Sequence, residues 1–235
     1  MARKLVTEAI GTFFLVLTIG LVVTAGQPLA PIAIGSALMV MVYMGGSVSG
    51  AHYNPAVTFA LLLRGKVTGA EAVAYVGAQL AGAVLAALAV LGVTGQTFMP
   101  APAATASVGA VVLVEALFTF ALALVVLNVA TARETEGNSY FGLAIGFTVM
   151  AGAFAGGPIS GGAFNPAVGL GPAFVHGLIG GQPIGHVVWY IVGPLLGGAL
   201  AAPVFAMQHP EPPAGTATHP AIVHRPVEPE AIPHP

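Results

Sequence analysis

The sequence holds no cysteine and no aspartate. Without cysteine there are no disulfides and no thiolate metal sites. Without aspartate no Asp-containing triad or metal cage can be assembled. Charge of either sign is almost as scarce: Asp, Glu, Lys and Arg make up 6% of the 235 residues, against about 25% in a soluble globular domain. The formal net charge of −2 says nothing about partners, and nucleic acid is not indicated. No nucleophile lies beside a base and no close pair of metal ligands stands out, so neither an enzyme nor a metal or cofactor site is expected. What fills the chain is apolar. Hydrophobic residues make up 57% and the mean hydropathy is +0.93, the composition of a multi-pass membrane protein.

Six apolar segments approach the ~20 residues that a spanning helix needs. They cover residues 5–25, 30–48, 71–93, 107–130, 139–156 and 186–207. Arg3-Lys4 ahead of an apolar run superficially looks like a secretory signal. The run is too long, contains Glu8 and lacks a clear cleavage site, so it reads as a retained first helix.

Two stretches interrupt this pattern. Ser49-Gly50-Ala51-His52-Tyr53-Asn54-Pro55-Ala56-Val57 returns as Ser160-Gly161-Gly162-Ala163-Phe164-Asn165-Pro166-Ala167-Val168. Asn is a favoured N-cap and Pro a favoured first helical residue. The apolar runs that follow, 56–63 and 167–175, are too short to span and are expected to be half-helices. Ser49 and Ser160, Asn54 and Asn165, and Ala33-Ile34-Gly35 and Ala144-Ile145-Gly146 are each separated by 111 positions. The chain is therefore an internal repeat, with three spans and one half-helix per copy. The expected units are 1–106 and 107–207, followed by a Pro/His-rich tail over 208–235. That tail carries His209, His219, His224 and His234 without a close ligand pair, and nothing in it could bury a core, so a disordered segment is expected.

The basic residues set an orientation. Arg3, Lys4, Arg64, Lys66, Arg133 and Arg225 can all lie on one side, while 26–29, 94–106 and 177–185 carry no Lys or Arg. The positive-inside rule makes that side, with both termini, cytoplasmic. An odd number of spans per copy inserts the second copy upside down, so the half-helices enter from opposite faces. Irregular backbone at that depth is tolerated only where it is buried in protein or lines water. Both Asn-Pro-Ala starts are expected to meet near the midplane beside an aqueous path. Two helix N-termini bring unpaired N–H groups and partial positive charge there, and Asn54 and Asn165 add amide donors. Such a point suits a solute oxygen, repels cations and interrupts a proton wire. Backbone carbonyls around 51–53 and 162–164 would supply acceptors along the path.

Across residues 3–207 the chain resembles the aquaporin and aquaglyceroporin (major intrinsic protein) family. The resemblance is carried by the two motif stretches above with Gly171-Pro172, by Glu8-Ala9 and Glu115-Ala116, and by Ala78-Gln79 and Gly193-Pro194. It implies an all-α, right-handed bundle of six transmembrane helices plus two re-entrant half-helices, with one pore per subunit, usually in a homotetramer. It also implies a plasma-membrane channel that passes water and small neutral solutes passively and needs no cofactor. Asn54, Pro55, Ala56, Asn165, Pro166 and Ala167 become its pore motif, and His52 lines the cytoplasmic vestibule. Glu8 and Glu115 match glutamates that accept backbone N–H groups of the re-entrant loops. A buried carboxylate is expensive unless so bonded, and Glu115 lies about 12 Å into its span at ~1.5 Å per residue.

The resemblance breaks at one position. The family usually carries Arg directly after the second Asn-Pro-Ala; here the residue is Val168. Counting from the two Asn residues, the other outer-constriction positions are Ile34, Ala153 and Gly162, the first two of which are typically Phe and His in water-selective members. A wide, apolar, uncharged constriction is expected, unless a side chain from 94–106 refills it. Gly169 stands where glycerol channels usually have Asp, whereas Ala173 resembles water channels, so the subfamily signals conflict. Two other readings remain open at this stage. A secondary transporter is one, because inverted repeats with broken helices also build those. A membrane-structural family member with a poorly conducting pore is the other.

Overall fold

A computed structural model of the protein describes residues 1–179 and 185–210. Eight α-helices occur among the described residues: α1 (Ala2–Thr24), α2 (Ala30–Ser49), α3 (Pro55–Leu63), α4 (Gly69–Thr94), α5 (Val108–Thr131), α6 (Phe141–Ser160), α7 (Pro166–Leu178) and α8 (Trp189–Gln208). Six of them, all but α3 and α7, are long and apolar enough to cross a membrane. Most edges lie within a few residues of the sequence reading. The largest extension among the spans is at α6, expected to end at Gly156 but continuous to Ser160 through Pro158. Away from water, backbone groups have no partner but the helix itself, so the ladder runs on through the glycines and the proline. The half-helix α7 likewise continues to Leu178 through Pro172, whose missing N–H releases the carbonyl of Val168 from its helical bond.

Helices α2 and α6 cross where both carry glycine. A Cβ on Gly35 would lie 2.6 Å from the Gly146 carbonyl oxygen, and one on Gly146 would lie 2.5 Å from that of Gly35. This reciprocity marks the two-fold relation between the halves. Around that crossing α1 packs on α4 and α5 on α8. The half-helices are exchanged: α3 packs chiefly on α8 of the other half, and α7 on α4. Outward faces carry large apolar side chains such as Val73, Leu85 and Leu117. The spans are therefore apolar on all sides, as helices with lipid on one flank and protein on the other must be.

Six crossings return the chain to the face where it began. On this terminal face Lys4 Nζ pairs with Glu71 Oε1 at 3.1 Å, and Thr68 and Glu71 form the capping box that opens α4. The Arg64 guanidinium lies 4.9 Å above the Phe205 ring. His209, just past α8, reaches Glu134 Oε2 at 3.2 Å and Asn128 Oδ1 at 2.8 Å. The Glu134 carboxyl is held below the usual range by its own backbone N–H and then by His209. The rest of the expected tail, 211–235 with His219, His224 and His234, lies outside the described residues.

Candidate pore

Each re-entrant loop takes left-handed backbone at three positions. Helix α2 ends at Gly50 (φ 87°), followed by Ala51 (φ 52°) and Tyr53 (φ 49°); α6 ends at Gly161 (φ 91°), followed by Gly162 (φ 66°) and Phe164 (φ 48°). For a non-glycine residue this conformation costs on the order of 1–3 kcal/mol, so something must hold it. In the first loop Glu8 does. Its Oε1 accepts from Ser49 Oγ at 2.7 Å and His52 N at 3.0 Å, and its Oε2 from Tyr53 N at 2.7 Å and Gln79 Nε2 at 2.8 Å. In the second loop Glu115 accepts from Ser160 Oγ at 2.7 Å, Ala163 N at 3.0 Å and Phe164 N at 2.6 Å. The serines accept in turn from Ala51 N at 3.0 Å and Gly162 N at 3.1 Å.

Two tyrosines absent from the sequence reading complete these cradles. Tyr75 donates to the Ser49 carbonyl at 2.7 Å, and Tyr190 donates to that of Ser160. They escape notice because their separation is 115 positions, against 111 for the motif and 107 for Glu8 and Glu115. Each step is four residues, about one helical turn. A repeat search that tolerates one-turn slips between elements would have paired them.

The two asparagines are capped and crossed. Asn54 Oδ1 accepts from Ala56 N at 2.8 Å, and Asn165 Oδ1 from Ala167 N at 2.9 Å. Their amide nitrogens reach into the opposite loop: Asn54 Nδ2 donates to the Phe164 carbonyl and Asn165 Nδ2 to that of Tyr53, both at 2.9 Å. A carboxamide carries two N–H groups, so each keeps one beyond this lock. Pro55 and Pro166 start the half-helices, and Ala56 and Ala167 are fully buried behind them. His52 is buried, with Nδ1 3.1 Å from Thr58 Oγ1.

Two cavities reach into the bundle near this pair. One, of about 380 Å³, opens away from the chain termini and is lined by Asn54, Asn165 and His52 together with Ile34, Ala153, Gly162 and Val168. Residues 98–101 of the α4–α5 connection close another part of its wall. The other, of about 990 Å³, opens on the terminal face, where Lys4, Lys66 and Arg133 surround it. His52, Val126 and Ile145 line both. The two cavities open on opposite faces of the bundle and share these three wall residues, while the paired helix N-termini, through Asn54 and Asn165, border the first.

Residues 1–205 match the family described as Major intrinsic protein. The chain belongs to that family. Its members are channels, not enzymes, and this chain is a membrane channel of the aquaporin fold. Among its relatives, the glycerol uptake facilitator protein-like 6 of Lactiplantibacillus plantarum is 38% identical over 213 residues, covering 85% of this chain and 95% of the relative. Nodulin-26 of Glycine max is 38% identical over 216 residues, covering 86% and 76%. The X-ray structure of the aquaglyceroporin from Plasmodium falciparum superposes with a TM-score of 0.78 over 87% of this chain and 95% of that one. At 22% identity that likeness speaks for the fold.

Proposed function

We propose that this major intrinsic protein is a plasma-membrane channel, with both termini cytoplasmic, for water and small neutral solutes. The observation that carries the reading is the crossed asparagine pair. Asn54 and Asn165 line one cavity with a spare amide N–H each, at the positive ends of two helices. A solute oxygen is welcome there, and a cation is repelled. The halves 1–106 and 107–207 act as one pore-forming pair, and the subunit works in a homotetramer, as is typical of the family. Ile34, Ala153, Gly162 and Val168 form an outer constriction without charge. Ions are then excluded by the central dipoles and by the cost of dehydration, and neutral solutes larger than water are admitted.

Stopped-flow swelling of proteoliposomes holding the full chain tests this. Water and glycerol fluxes should both exceed those of empty liposomes, scale linearly with the gradient, and ignore sodium and a proton gradient. Saturable flux coupled to either ion would make the protein a transporter instead.

A further inference from the structure

The α4–α5 connection is fastened across the outer cavity. Thr97 Oγ1 lies 2.7 Å from His176 Nδ1 on α7. Phe98 is buried against α1, so close that a Cβ on Gly20 would lie 2.4 Å from its ring. The Ala101 backbone sits on Gly161, where a Cβ would lie 2.8 Å from both its nitrogen and its oxygen. Ala103 N donates to the Ile159 carbonyl at 3.0 Å. Four attachments within seven residues fasten this strap to α1, to α6 and its C-cap, and to α7. Between them, Met99 and Pro100 line the same cavity as Val168.

We propose that Met99 is a specificity-determining residue: its side chain sets the size limit of the outer opening. The inference rests on reading this cavity as the solute path. The four constriction positions supply one Ile, one Ala, one Gly and one Val, none longer than Ile34, and Met99 of the strap lines the same cavity. The backbone of Met99 is held by its neighbours' attachments, while the side chain keeps three rotatable bonds and a polarisable thioether. It narrows the opening without offering a strong hydrogen bond. Discrimination by Met99 is therefore by bulk: shortening it admits larger neutral solutes and changes water little.

The absence of cysteine from the chain makes a direct test possible, because Met99→Cys carries one thiol and no other. The full chain, as native protein, Met99→Ala and Met99→Cys, is reconstituted in liposomes, and water and glycerol fluxes are measured. Met99→Ala should raise the glycerol-to-water ratio several-fold, the direction in which lost methylenes change discrimination in an apolar pocket. Labelling Met99→Cys with a methanethiosulfonate reagent should slow both fluxes, more so for bulkier reagents, and a reductant should restore them. Complete labelling by mass with unchanged fluxes, or an unchanged ratio in a water-conducting Met99→Ala, would overturn the assignment. Ala153→Phe separates this from failure of the pore reading. If it cuts glycerol flux while the Met99 variants do nothing, the pore stands and Met99 is not its limit. If the native protein passes neither water nor glycerol, the pore reading falls and Met99 with it.

Discussion

At the scale of single residues, Glu8 and Glu115 face donors in every hydrogen bond described for them, which makes amides poor replacements. In Glu115→Gln one oxygen becomes a donor beside a backbone N–H, and in Glu115→Leu three donors lose their acceptor. Each orphan costs about 1–3 kcal/mol, so thermal unfolding in detergent should rank native above Glu115→Gln above Glu115→Leu. Glu8→Leu should fall lower still, since it strands four donors, Gln79 Nε2 included. An unchanged melting curve for Glu115→Leu would remove this carboxylate from the scaffold. Val168→Arg brings bulk and a fixed positive charge to the outer cavity. It should lower glycerol flux more than water flux in the swelling assay. A native protein that conducts water yet rejects glycerol, urea and ammonia alike would contradict the wide constriction. Much of this scale was legible beforehand, because Asn, Pro and a lone intramembrane Glu are conspicuous in apolar sequence. Tyr75 and Tyr190 were not, since a tyrosine near a span end ordinarily reads as an interfacial anchor.

At the scale of elements, the existence of the spans was plain and their faces were not. A helix bordered by lipid and protein is apolar on both flanks, so periodicity cannot say which side meets a neighbour. Close approach of small residues says it instead, and the contacts are needed to see it. Gly35 and Gly77 both sit in apolar spans. A Cβ on Gly35 meets the Gly146 carbonyl at 2.6 Å, whereas one on Gly77 meets nothing within 4 Å. Gly35→Ala should therefore part α2 from α6, at the roughly 1–3 kcal/mol typical of overpacking, and lower the melting temperature. Gly77→Ala should leave it unchanged or raise it. Equal effects of the two substitutions would mean that the crossing tolerates a methyl group. The extra turn of α6 through Pro158 was hidden for a related reason. Gly-Gly-Pro stops a helix in water, where the freed backbone can bond to solvent, and continues it where it cannot.

At the scale of the whole molecule, the inverted arrangement followed from counting spans and basic residues, which needs no knowledge of packing. The exchange of half-helices did not, because nothing in the spacing says that α3 leans on α8 or α7 on α4. That exchange predicts that residues 1–106, expressed alone, insert but stay sensitive to protease at Gly50–Asn54, and that adding the second half in trans restores protection. Protection of the isolated half would show that its loop is self-supporting. The crossed asparagines also put a clock on biogenesis. Asn165 follows Tyr53 by 112 positions, which a ribosome working at ~5–20 residues per second covers in roughly 6–22 s. For that interval the first loop sits in the bilayer without the amide that closes it, and the nascent chain relies on the insertion machinery to shelter a polar hairpin. Slow codons between the two motifs would lengthen the wait, so synonymous changes there should alter yield without altering a single side chain.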